Sequence, residues 1–144
     1  MKTISEDIYQ DTIIEWSKKA DHTARLDKVD SKATASNPLC GDQVTVELTI
    51  EGGVIQRMSH QVRGCVLCKA SSSHLAFLAK GLTLGKLRDM RQDLNNALKT
   101  QDLEPANFPE THSFFSPVRS HKSRHSCVLL PYDATIDALS RCTK

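Results

Sequence analysis

Between Val44 and Ile50 the chain alternates: Val44, Val46, Leu48 and Ile50 are apolar, while Thr45, Glu47 and Thr49 between them are polar. A period of two marks a strand with one buried face. Gly52-Gly53 then supplies a tight turn, and Val54 to Val62 runs back as the partner strand, ending at Gly64-Cys65. On both sides of this hairpin the pattern is helical. Upstream, Thr3-Ile4-Ser5-Glu6 has the T-x-x-E form of a capping box, and Tyr9, Ile13 and Trp16 share the face of the helix it opens. Ala20 to Ser36 is polar and mixed, which predicts a loop with a short edge strand near Ala33. After Cys65, the residues Leu67, Ala70, Leu75, Phe77 and Leu78 predict a helix ending before Gly81, with Ser71, Ser72 and Ser73 small enough for close approach to a neighbour. Thr83 starts the next helix, with a stripe of Leu84, Leu87, Met90, Leu94 and Leu98. Thr100 to Ser120, interrupted by Pro105, Pro109 and Pro117, reads as a long loop. The last helix is expected to begin near Cys127, with Pro131 tolerated in its first turn and Leu129, Tyr132, Ile136 and Leu139 as its apolar face. Helix, strands, then further helices is an α+β order: a small antiparallel sheet, hairpin plus edge strand, packed against about four helices.

Length and composition narrow the class. The 144 residues make one domain, 1–144, large enough to bury a core without disulfide or metal staples. A net charge of +2 is too small to imply nucleic acid or an anionic membrane as partner. Aromatic residues at 5% leave little for stacking on single-stranded nucleic acid. No apolar run reaches the roughly 18 residues of a membrane span, and no signal peptide is evident, so a cytoplasmic location is expected. Five cysteines, an odd number, argue against a fully paired secreted framework. In a reducing compartment such thiols are ligands or catalysts sooner than bridges.

The hairpin gives the cysteines a meaning. Cys40 and Asp42 open its first strand, with Gly41 between them and Pro38 fixing the turn, and Cys65 closes its second. Strands of similar length bring their open ends together, so Cys40, Asp42 and Cys65 should lie close in space. Cys65 also precedes a helix, whose N-terminus favours the thiolate, the nucleophilic and metal-binding form. Cys127 opens another helix after the basic run Arg119, Lys122, Arg124 and His125. Alone, a thiol at a helix start is a core residue more often than a ligand, and Asp42 alone would be a turn carboxylate. Thiols and a carboxylate at one end of a rigid ribbon form a candidate metal site, for which thiolates suit Zn²⁺ or an iron–sulfur cluster.

Taken together, NPLCGD, then GCVLCKASSS, then VRSHKSRHSCVLLPYDA resemble the U-type iron–sulfur scaffold proteins: IscU, SufU and the N-terminal domain of NifU. The resemblance runs from about Tyr9 to Leu139 and implies an IscU/SufE-like fold. It implies ligands at Cys40, Asp42, Cys65 and Cys127, holding a transient iron–sulfur cluster, of the two-iron two-sulfur kind, or Zn²⁺. It also implies a cysteine desulfurase of the SufS/IscS type as sulfur donor and acceptor apo-proteins as recipients. Cys127 is the expected sulfur acceptor, because the long loop before its helix can move and Arg119, Lys122, Arg124 and His125 would favour its thiolate. The spacing from Cys65 to Cys127 looks like SufU. Three features depart from the family pattern. Ser126 stands directly before Cys127, where IscU has histidine and SufU usually lysine, which leaves the fourth ligand between Asp42 and His125. An LPPVK-type chaperone motif is absent, so the resemblance does not extend to handoff by an Hsp70. Cys68 forms a C-x-x-C with Cys65 and is a candidate spare ligand or resolving thiol, whereas Cys142 reads as incidental.

Competing readings use the same residues. The reading favoured here is a non-enzymatic scaffold; a zinc-dependent sulfurtransferase would share its site. A thiol–disulfide oxidoreductase on Cys65 and Cys68 should show a βαβ unit, not a hairpin, before its C-x-x-C. A zinc module of Cys65, Cys68, His121 and His125 would have 52 residues between its pairs, against roughly 12 to 15 in a finger, and would leave NPLCGD unexplained.

Overall fold

The computed structural model describes residues 11–19, 25–38, 41–100, 115 and 117–142. The alternating segment forms strand β2 (Gln43–Glu51), paired antiparallel with β3 (Val54–Arg63) on one side and β1 (Ser31–Ser36) on the other. The sheet order is therefore β1-β2-β3, with the edge strand where Ala33 suggested it. Gly52 and Gly53 make the hairpin turn with φ of 60° and 77°, a conformation that disfavours any Cβ. Val44, Val46 and Leu48 are fully buried, and Val62, His60 and Met58 face them across the pair.

A bulge between Thr49 and Ile50 moves the register by one residue. Glu51 pairs with Val54 at the turn, but Gln43 pairs with Arg63 at the open end. One further step along that register sets Asp42 opposite Gly64.

Four α-helices accompany the sheet among the described residues: α1 (Asp11–Lys19), α2 (Val66–Leu78), α3 (Leu84–Lys99) and α4 (His125–Cys142). Helix α4 packs on β1 and β2 and α2 on β3, while α1 lies on α2 and α3 on α4. The architecture is the α+β arrangement expected from the pattern. Thr83 caps α3 by accepting the Lys86 N–H at 3.2 Å, and Leu87, Leu94 and Leu98 of its stripe are buried. The serines of α2 do permit close approach: Ser71 donates to the Val128 carbonyl of α4 at 2.5 Å. None of the helices in the described residues is long and apolar enough to cross a membrane.

Some expectations change. Helix α4 begins at His125, continuing the 3₁₀ turn Lys122–Arg124, so Pro131 lies in its seventh position and not in its first turn. Pro131 has no N–H for the Cys127 carbonyl one turn earlier, which a proline in the first turn would not have cost. Phe77 is 73% exposed and leans on Trp16, ring centroids 5.5 Å apart, without entering the core. The capping box at Thr3–Glu6, Tyr9, and most of the expected loop between Thr100 and Ser120 lie outside the described residues; residues 117–120 form a 3₁₀ turn.

His60 brings an imidazole into the core face of the sheet, 3% exposed, and burial lowers its pKa to about 4. In the unfolded chain it titrates near 6.5. Between these values the unfolded state binds a proton that the native state refuses, so stability falls as pH drops from about 6.5 towards 4. The loss should be on the order of 3 kcal/mol across that window. Urea melts of wild type and His60→Gln from pH 7 to 5 check this, with a clearly flatter profile expected for the variant.

Candidate metal centre

Three elements deliver the site. The β1–β2 connection is closed by two backbone bonds, the Asn37 N–H to the Asp42 carbonyl and the Gly41 N–H to the Asn37 carbonyl, each 2.8 Å. Gly41 has φ of 77°, which is why the N-P-x-C-G-D turn needs glycine there. The Asn37 amide donates to Ser126 Oγ at 2.7 Å, tying this turn to the first turn of α4. Asp42 leaves the turn 4% exposed, with Oδ1 accepting the Cys65 N–H at 3.3 Å. Cys65 is the N-cap residue of α2 and half-buried, while Cys127, in the first turn of α4, is fully buried.

One carboxylate oxygen of Asp42 and the sulfurs of Cys65 and Cys127 all lie within 4.8 Å of one another. The two thiols titrate together. Cys65 Sγ is 3.6 Å from Asp42 Oδ2, a contact that is attractive only with a proton between them. The Cys127 thiol donating to Cys65 lowers the Cys65 pKa to about 7, helped by the Cys68 and Leu67 N–H groups at the start of α2 and opposed by burial and the Asp42 charge. The Cys127 pKa is raised, first by that hydrogen bond, then by burial and by the charges of Cys65 and Asp42. Two thiols this close to each other and to the Asp42 carboxylate do not both ionise unless a cation takes the place of their protons.

The donor set fits a thiophilic cation. Tetrahedral zinc with sulfurs at about 2.3 Å separates its donors by roughly 3.8 Å, so these atoms would draw in by only about 1 Å. Asp42, Cys65 and Cys127 are thus brought together as the sequence suggested, and Cys40 lies outside the described residues. His125 and Cys68, the expected substitutes, do not join the group. His125 Nε2 lies 3.1 and 3.0 Å from the carbonyls of Val118 and Arg119, and Cys68 is fully buried in the hydrophobic core. A zinc module of Cys65, Cys68, His121 and His125 is not assembled among the described residues.

The basic run before Cys127 does not depress that thiol, contrary to the sequence argument, because Cys65, burial and Asp42 dominate its surroundings. Two contributors were not foreseen. The Asn37–Ser126 bond crosses 89 positions of sequence, with no local signal to reveal it. Gly64 lies beneath the Asp42 carboxylate, and the only hint was a glycine directly before a candidate ligand.

Residues 8–113 match the sequence model of the NifU-like N-terminal domain, a stretch that includes Cys40, Asp42 and Cys65 and ends before Cys127. The chain belongs to this family, that of the U-type iron–sulfur cluster assembly scaffolds. It is similar to the iron–sulfur cluster assembly scaffold protein IscU of Thermotoga maritima, 19% identical over 137 residues that cover 95% of this chain and 96% of that protein. Among solved structures, a NifU-like N-terminal protein from Brucella abortus superposes with a TM-score of 0.84 at 33% identity, covering 97% of each chain. The same fold occurs in a protein of Fervidobacterium islandicum described as a cluster assembly scaffold for the SUF system, with a TM-score of 0.79 and 23% identity over 94% of this chain and 98% of that one.

Proposed function

We propose that this protein is a scaffold on which an iron–sulfur cluster is assembled and from which it is released. The cluster is cargo, held by Asp42, Cys65 and Cys127 with Cys40 as the further ligand. The observation that carries this reading is the mixed donor set: two sulfurs and one buried carboxylate oxygen within 4.8 Å. Thiolates grip iron or zinc firmly, while a carboxylate is a harder and weaker partner for both. A permanent structural site would gain from a fourth thiolate or an imidazole, and a site that hands its contents on gains from a weak link. Membership of the NifU-like family supports the same reading.

Sulfur comes from a persulfide on a cysteine desulfurase. Of the two described site thiols, Cys65, half-buried and with its pKa lowered to about 7, is the one that such a donor can reach. Its thiolate attacks the outer sulfur of the donor persulfide, forms an S–S bond and leaves the donor as a thiolate. Cys127, which the sequence suggested as the acceptor, lies directly behind Cys65 and can receive the sulfur from it. Zinc binds the same donors when iron and sulfide are not supplied. Anaerobic purification with iron, zinc and acid-labile sulfide measured together tests the reading. Equal amounts of iron and sulfide on wild type, and neither on Cys65→Ser, are expected. A wild-type protein that takes up neither metal nor sulfide under reconstitution would overturn it.

A further inference from the structure

We propose that Gly64 is a positioning residue of the metal centre, kept without a side chain so that the Asp42 carboxylate can lie across its place and reach Cys65. This rests on the scaffold reading for what the carboxylate does there, but the contact itself is independent of it. A Cβ on Gly64 would stand 2.7 Å from Asp42 Oδ1, 2.8 Å from Cγ and 3.2 Å from Cβ. Approaches below about 3.0 Å do not occur, so either the carboxylate or the strand end must shift. The three nearest atoms to that position all belong to Asp42.

Backbone conformation does not explain the glycine. Gly41, Gly52, Gly53 and Gly81 have positive φ, and Gly64 is not among them. An alanine at such a position is ordinarily tolerated and slightly stabilising, because it restricts the unfolded chain. The reason for glycine here is room. The register sets residue 42 opposite residue 64, so their side chains share one face of the ribbon. The Asp42 side chain crosses that place to accept the Cys65 N–H with one oxygen while the other stands 3.6 Å from Cys65 Sγ. With 4% exposure it has little room to turn aside, and turning aside removes the oxygen from the two sulfurs.

The test is a double-mutant cycle on the full chain, Gly64→Ala and Asp42→Ala singly and together. Thermal melts of the metal-free proteins read the contact. Gly64→Ala should lower Tm by about 4 °C in wild type and leave it unchanged or slightly raised in the Asp42→Ala background, where Oδ1 and Cγ are gone. An equal drop in both backgrounds would overturn the proposal, since the glycine would then serve the backbone. The functional readout is the rate at which Zn²⁺-loaded protein yields zinc to a chromogenic chelator. Gly64→Ala should change that rate in the same direction as Asp42→Ala, and the double variant should match Asp42→Ala alone. A Gly64→Ala protein that releases zinc like wild type, while Asp42→Ala does not, would also overturn it. If Asp42→Ala itself leaves release unchanged, the carboxylate's part in the scaffold reading fails, and the melts still decide the contact.

Discussion

Asp42→Ala is expected to retain its metal or cluster, to pass it on about tenfold more slowly, and to melt no lower than wild type. The carboxylate is the weak member of the donor set, and its negative charge raises the pKa of both Cys65 and Cys127. Removing it makes both thiolates easier to form and leaves the remaining donors holding the cargo more firmly. The cost to the fold is small. The bond from the Cys65 N–H is long, at 3.3 Å, and its loss is offset by no longer burying a carboxylate among thiols. A structural metal site behaves in the opposite way, because metal binding energy is then folding energy. Melting temperature and transfer rate to an acceptor apo-protein, measured on one preparation, separate the two. A variant that loses its metal and melts several degrees lower would make Asp42 an ordinary structural ligand.

Cys65→Ser is expected to abolish both persulfide uptake from a cognate desulfurase and stimulation of that enzyme. Cys127→Ser should still accept one sulfur, on Cys65, yet assemble no cluster. The difference follows from access: Cys127 is fully buried and Cys65 is not, and the proton between them favours the thiolate on Cys65. Mass spectrometry of the intact variants after incubation with desulfurase and cysteine reads the added sulfur directly. Sulfur found on Cys127 of Cys65→Ser would reverse the order of the relay.

Much of this molecule is legible in the chain because its signals are local. The alternation from Val44 to Ile50, the Gly52-Gly53 turn and the leucine stripe of α3 each express one element's periodicity, and the fold follows their order. The gathering of Asp42 and Cys65 is legible too, since a hairpin of known turn has known ends. The start of α4 was less so, because a 3₁₀ turn runs into it without a capping residue to mark the boundary.

By itself the sequence determined the α+β class, the hairpin, and a set of thiols and one carboxylate suited to a soft metal or a cluster. Those follow from side-chain chemistry and from spacing within single elements. Tertiary structure alone decided how the set is used. The bulge at Thr49/Ile50 places Asp42 over Gly64, packing of α4 on the sheet buries Cys127 behind Cys65, and the carbonyls of Val118 and Arg119 hold His125 away from the metal donors. Each depends on residues far apart in the chain meeting at distances that only the packed structure sets, and proton sharing between thiols falls off over a few ångströms.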